Sequence, residues 1–203
     1  QFMKRELLRN GVEEDRIEVH SPVPAAAATE LQSTFGDRNR IIYSGQITRG
    51  KGVDVLLEAL ALVKVPFECL IFGDGNHRAY CEKLSRRLGL NDKVHFMGYV
   101  SPDTIIPCYR ECSVVVMSSV WPEPFGAAGL EGMRYGLPVV AFDAGGIREW
   151  LSDGFNGKLV RWMDKAAYAK QVETLLRDKS LARELGANGR RTVATQFKFS
   201  KYI

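Results

Sequence analysis

The residues with the most to offer chemically lie between Ser118 and Glu131, in the run Ser-Ser-Val-Trp-Pro-Glu-Pro-Phe-Gly-Ala-Ala-Gly-Leu-Glu. Pro124 suits the first position of a helix, where its missing N–H costs nothing, so the sequence predicts a helix that opens at Glu123 and runs over 124–135. The N–H groups of Phe125, Gly126 and Ala127 would then lack intrahelical partners and face an anion, with Gly126 permitting close approach. Glu123 and Glu131 stand eight positions apart, a rise of about 12 Å along a helix. Paired glycosidase carboxylates are about 5–9.5 Å apart, so this spacing favours two acids that hold opposite ends of a long ligand, with its phosphates between them. Spacing alone favours the plainer alternative, Glu123 as an ordinary residue at a helix start and Glu131 as a solvated one.

A second anion-binding context is Gly45-Gln46-Ile47-Thr48-Arg49-Gly50-Lys51-Gly52, which follows an apolar run and leads into a helical pattern. Glycines let backbone approach an anion, and Arg49 and Lys51 add mobile positive charge; a glycine-rich turn with solvated cations is the plain alternative. The loop is one residue short of a Walker A motif: Gly52 stands where a Ser or Thr must bind Mg²⁺. With Asp143 as the partner acid a nucleotide hydrolase is a minor reading, against which the missing hydroxyl counts. Gly73-Asp74-Gly75 begins like a dinucleotide fingerprint, but Arg78 occupies the third glycine position, so a tight strand-to-helix turn explains it as well.

The rest of the sequence bounds what these segments can be. The 203 residues are 45% apolar, 26% charged and 10% aromatic, which is globular composition and excludes a mainly disordered chain. No apolar stretch approaches the ~20 residues that span a bilayer. A net charge of +4 with scattered basic residues gives no nucleic-acid footprint. Cys69, Cys81, Cys108 and Cys112 form no Cys-x-x-Cys pair, and His20, His77 and His95 supply no ligand spacing, so reduced thiols, a cytoplasmic setting and no metal are expected.

The elements that must position these residues follow from periodicity. Continuously apolar runs at 41–44, 67–72, 93–97, 114–118, 138–142 and 158–160 alternate with helical patterns at 53–63, 78–88, 103–111, 124–135 and 147–151. Such runs belong to strands covered on both faces, and helical connections make them parallel with right-handed crossovers. The expected fold is therefore α/β: a doubly wound, Rossmann-like, six-stranded parallel sheet with helices on both faces and ligands at the carboxyl ends of its strands. Two more helices are predicted at 166–177 and 181–195. Ahead of the sheet, 2–9 is helical in pattern, 16–20 reads as a short strand and 21–28 as a linker. The chain thus divides into 1–36, the tail of an upstream element; 37–178, the ligand-binding domain; and 179–203, a helical segment that reads as cut short. It opens without an initiator Met, as a fragment would.

Glu123-x7-Glu131 with Pro124-Phe125-Gly126, followed by Gly136-Leu137-Pro138-Val139-Val140-Ala141 and Gly145-Gly146-Ile147-Arg148-Glu149, resembles the retaining glycosyltransferases of family four, which have the GT-B fold. Gly45 to Gly52 is similar to that family's glycine loop ending in Lys-Gly, Gly73-Asp74-Gly75 to its second glycine turn, residues 94–100 to its third strand and base-contacting loop, and Asn156-Gly157 to the turn before its sixth strand. The likeness is close over about residues 40–160.

The resemblance implies that Glu131 binds ribose hydroxyls of a UDP- or GDP-sugar, that Glu123 holds the transferred hexose, and that Lys51 neutralises the diphosphate. It also implies that Gly45, Arg49 and Gly73 line the donor, that the amides of Phe125, Gly126 and Ala127 contact phosphate and sugar, and that Tyr99 and Val100 border the base. Gln46 stands where the family usually has Arg; Arg49 is the candidate to compensate. The reaction implied is transfer of a hexose, with retention, to a sugar or lipid acceptor, with no cofactor and with Lys51 and a helix tip in place of a metal. An acceptor domain is expected ahead of Gln1, a fragment lacking it is expected to be inactive, and peripheral membrane contact would fall to that domain. A sugar-nucleotide epimerase or phosphorylase of the same architecture, or a noncatalytic nucleotide-binding module, are the competing readings.

Overall fold

The computed structural model describes residues 1–20, 22, 33–36 and 38–197. Its strands are β1 (Arg40–Ser44), β2 (Glu68–Phe72), β3 (Val94–Gly98), β4 (Val114–Met117), β5 (Val139–Phe142) and β6 (Gly157–Val160). Its helices are α1 (Phe2–Arg9), α2 (Val53–Leu60), α3 (Arg78–Arg87), α4 (Pro102–Glu111), α5 (Ala127–Arg134), α6 (Lys165–Arg177) and α7 (Lys179–Gln196). All six strands pair in parallel in the order β3-β2-β1-β4-β5-β6. Each residue of β4 and β5 is buried, as continuous apolar runs between two helical layers require. On one side α2 packs with α3 and α6; on the other α5 packs with α7.

This strand order has one decisive consequence. The chain winds outward from β1 through β2 to β3, returns to β4 beside β1, and then winds the other way. The loops leaving the carboxyl ends of β1 and β4 therefore diverge and leave a crevice between them. Both segments singled out by their chemistry, 45–52 and 118–126, are those two loops.

Several side chains fasten the frame. Asp164 and Asp178 cap α6 and α7 by accepting from the N–H groups of Ala167 and Leu181, both at 2.9 Å. The fully buried Tyr168 hydroxyl donates to the carbonyls of Val140 (2.8 Å) and Met117 (3.1 Å), tying α6 to β4 and β5 near the site. Tyr168→Phe removes that tie without opening a large cavity, and is expected to lower unfolding free energy by about 1 kcal/mol, read from a shifted denaturant midpoint with an unchanged slope.

Three local expectations give way. Residues 16–20 form no strand: a 3-10 turn covers Glu14–Arg16 and the following residues have no regular structure. Among the described residues no strand pairs with them. In place of the helix expected at 147–151, a 3-10 turn covers Gly145–Glu149. The helix expected over 124–135 begins only at Ala127, with Gly126 at its N-cap in the left-handed region at φ +86°. The linker at 21–28, apart from Pro22, and the last six residues lie outside the described residues. Helix α1 rests on the 145–149 turn, where the Phe2 N–H donates to the Glu149 carboxylate, and buries none of its residues. Among the described residues no helix is long and apolar enough to cross a membrane.

Candidate functional site

Backbone hydrogen bonds sew the diverging loops together beneath the crevice. The Gly50 carbonyl accepts from the N–H groups of Val120 (2.9 Å) and Trp121 (3.1 Å), and the Ser118 hydroxyl donates to the Lys51 carbonyl at 2.9 Å. From the other side Ile47 N–H donates to Asp74 O at 2.9 Å, and His77 N–H to Ile47 O at 3.0 Å. Close approach depends on Gly52, at φ +63°, where an added Cβ would sit 2.2 Å from the Ser118 carbonyl oxygen. The result is a pocket of about 540 Å³ lined by Thr48, Arg49, Gly50, Lys51, Asn76, His77, Trp121, Glu123 and Pro124.

At its base lies a tight acid–base pair. The Glu123 side chain is only 8% exposed, and its carboxylate accepts from Lys51 Nζ at 2.7 and 3.0 Å and from Ser119 Oγ at 2.7 Å. Its backbone is held equally firmly: the Gly146 N–H donates to the Glu123 carbonyl at 2.7 Å, and a Cβ at Gly145 would come within 2.6 Å of the Glu123 backbone. Trp150 Nε1 donates to the Phe125 carbonyl at 2.6 Å. These contacts from the 145–149 turn hold 122–126 out of the helix and set the start of α5. An amine and a carboxylate on a fixed base, at the mouth of a parallel sheet, can receive an anion and a hydroxyl side by side.

The delayed helix preserves the free amides. The N–H groups of Phe125, Gly126 and Ala127 donate to no acceptor within the described structure. They precede or open α5, so an anion there would meet three unsatisfied donors and the positive end of the helix.

Of the residues read from sequence, Arg49, Lys51 and Glu123 line the pocket together, whereas Gln46 is exposed outside it and lends its carbonyl to the Tyr43 hydroxyl at 2.9 Å. Gly45 and Gly73 pack against each other in the loops behind: a Cβ on Gly73 would lie 1.9 Å from Gly45 O. Tyr99 is 85% exposed beyond β3, with Val100 half-buried beside it. Glu131 sits in the second turn of α5, outside the lining residues and exposed. The 12 Å helical rise between the two acids does not hold, because only the span from Ala127 onward is helical. Nearby protein pushes the Glu131 carboxyl above its ordinary value, opposed by Arg134 and by the Tyr109 hydroxyl. Asp143, the partner acid of the hydrolase reading, is gripped by Arg148 through two bonds of 2.6 and 2.5 Å.

Sequence reasoning missed Ser119, Trp121, Asn76 and His77. Ser119 has a signal, four residues before Glu123 at the end of an apolar run; His77 has none in the sequence beyond its type. Among the described residues no three His, Cys, Asp or Glu side chains converge on a metal-sized position.

Comparison with known proteins agrees with this geometry. An uncharacterized glycosyltransferase of Methanocaldococcus jannaschii is 33% identical over 165 residues, covering 80% of this chain and 42% of the relative. The lipopolysaccharide core biosynthesis glycosyltransferase LpsE of Rhizobium meliloti is 33% identical over 164 residues, covering 81% of this chain and 47% of its own length. The chain thus spans a little under half the length of these curated relatives. Anabaena HepE, solved in complex with UDP and glucose, superposes with a TM-score of 0.86 at 23% identity over 98% of this chain and 57% of its own, a likeness of fold. The sequence model of the family Glycosyl transferases group 1 matches residues 29–192, and with the crevice between β1 and β4 as its structural counterpart, the chain belongs to that family.

Proposed function

We propose that this chain is the donor-binding domain of a retaining glycosyltransferase of family four, moving a hexose from a nucleoside diphosphate sugar, UDP- or GDP-linked, to a sugar or lipid acceptor. The observation that carries the reading is the Lys51–Glu123 pair at 2.7 Å on the floor of the crevice, beside three free amides. In this reading Lys51 leaves Glu123 for the diphosphate and neutralises charge as the leaving group departs, which lowers the barrier because the donors are fixed in advance. Glu123, freed of its lysine but kept by Ser119, accepts from hydroxyls of the transferred sugar. The N–H groups of Phe125, Gly126 and Ala127 complete the phosphate contact, Arg49 adds mobile charge, Glu131 takes the ribose, and Tyr99 and Val100 border the base. Gln46, whose carbonyl is held by the Tyr43 hydroxyl, brings no charge to the diphosphate. The chemistry asked of these residues needs no metal or cofactor.

HepE, of the same fold, is bound to UDP and glucose in its structure, which supports a uridine nucleotide as the first donor to try. Residues 37–178 would form the donor domain and 179–203 the segment leading toward an acceptor-binding half of the whole protein, consistent with relatives about twice as long. Calorimetry with UDP, GDP, ADP and their sugar conjugates tests the reading: micromolar to low millimolar binding by one series is expected, and binding by none at millimolar concentration overturns it.

Glu131 gives a sharper form of the test. A carboxyl whose pKa is raised on folding lends stability that is present at low pH and lost as pH rises through the raised value, so at neutral pH its ionised form is a burden on the fold. Glu131→Gln should therefore leave thermal stability at neutral pH unchanged or slightly higher. Nucleotide affinity should fall roughly tenfold, the value of a charged hydrogen bond to ribose. A drop in stability with unchanged affinity would remove Glu131 from the site.

A further inference from the structure

His77 and Asp54 form a pair that the donor reading leaves unused. Asp54 opens α2, immediately after the glycine loop, and His77 precedes α3 after the second glycine turn. The two are distant in sequence, yet His77 Nε2 lies 3.3 Å from Asp54 Oδ2, and the imidazole lines the same pocket as Arg49, Lys51 and Glu123. Among the described residues the second oxygen of Asp54 is sealed from solvent without a hydrogen-bond partner, and the imidazole is the carboxylate's one side-chain partner. The ring is oriented from two further directions. Its own backbone N–H is bound to Ile47, and its face stacks on Tyr80 at 4.7 Å between centroids and 19° between planes.

The histidine side chain is only 14% exposed, so it is a fixed group in the pocket wall. A carboxylate behind one ring nitrogen fixes the tautomer and stabilises the protonated ring. With Nε2 turned to Asp54, the nitrogen left for a ligand is Nδ1, which donates only when the ring is protonated.

We propose that Asp54 and His77 act as a proton-linked diphosphate clamp: His77 contacts the terminal phosphate of the nucleotide as an imidazolium, and Asp54 positions and charges it. The proposal rests on the donor reading and deepens it. In the balanced step the neutral ring takes one proton from solvent as the diphosphate binds, Nδ1–H donates to a phosphate oxygen, and the proton returns to solvent when the nucleoside diphosphate leaves. His77 is thus a binding residue for the leaving group, and Asp54 a positioning residue. The other groups around the ring are accounted for. Tyr80 and the buried Cys81 lie on α3; Asp74 and Arg78 are paired at 3.0 Å, with Arg78 also bound to Glu82 at 2.8 Å; across the pocket are Arg49 and the Lys51–Glu123 pair.

The test compares nucleoside diphosphates with the matching monophosphates on the full-length protein. UDP, GDP, ADP and their monophosphates are titrated calorimetrically at about pH 8, where free imidazole is mostly neutral, in buffers of different ionisation enthalpy. Wild type should take up more protons with the diphosphate than does His77→Gln or Asp54→Asn. Both variants should bind the diphosphate roughly tenfold more weakly while binding the monophosphate as before, which also shows that their pockets are folded. His77→Lys, charged without Asp54's help, should restore diphosphate affinity without the proton uptake. Equal proton uptake and diphosphate affinity in wild type and His77→Gln overturn the clamp. So does an equal loss of mono- and diphosphate binding, which would mark the pair as structural. If wild type binds no nucleotide, the donor reading fails and the clamp fails with it.

Discussion

Lys51→Met is expected, on the transferase reading proposed above, to reduce sugar transfer by the whole protein about 10²–10³-fold, the effect of removing one preorganised donor from a developing anion. The same substitution should cost the fold roughly 1–3 kcal/mol, because it leaves the Glu123 carboxylate with Ser119 as its sole side-chain donor. Breaking a fully buried pair costs about 3–5 kcal/mol; Lys51 is 34% exposed, so solvent already screens part of its attraction and the lower range applies. The two effects separate in a double variant. Adding Glu123→Gln removes the stranded charge and should return most of the lost stability while transfer stays low, since neither the ammonium nor the carboxylate is then present. Denaturant melts and initial rates on wild type, Lys51→Met, Glu123→Gln and the double variant decide the matter. Recovery of transfer in the double variant would mean that the pair holds the fold and does nothing for the donor.

Gly52→Ala has the largest expected effect on the fold. The substitution combines two costs: a left-handed backbone, worth about 1–2 kcal/mol for a residue with a Cβ, and overpacking of about 1–3 kcal/mol where the new atom meets a backbone oxygen 2.2 Å away. Backbone cannot rotate aside as a side chain can. A loss of about 2–5 kcal/mol would lower the melting temperature of a 203-residue chain by about 5–20 °C. Gly89 supplies the control. It too is left-handed, at φ +69°, but an added Cβ there meets nothing within 4 Å. Gly89→Ala should therefore show the conformational cost alone, and similar melting temperatures for the two variants would show that the loops separate freely at Gly52.

Periodicity carried the architecture far because β4 and β5 have apolar residues on both faces, a pattern that a two-layered helical cover demands. Strand order is another matter. It arises from the long return from β3 to β4, and nothing within either strand encodes it, yet it decides where the crevice lies. The local failures share one cause. Pro124 looked like a helix opener by its own stereochemistry, but bonds from Gly146 and Trp150, more than twenty positions away, hold residues 122–126 in a different path. The N–H groups of Phe125 to Ala127 lack acceptors among the described residues whichever residue starts the helix, so this part of the loop is less sensitive to the helix boundary. The 16–20 segment has no partner strand among the described residues. His77 shows the same limit at the level of chemistry: its environment is made by Asp54, on another helix and twenty-three positions back.

The bonds from Gly50 to Val120 and Trp121 have a bearing on how a guest would be greeted. Residues tied to each other by backbone bonds forfeit little further freedom on complexation, so less of the interaction energy is consumed in ordering the host. Selectivity at this crevice would then come from lock-and-key matching of shape and charge, with little adaptive motion in the two loops themselves.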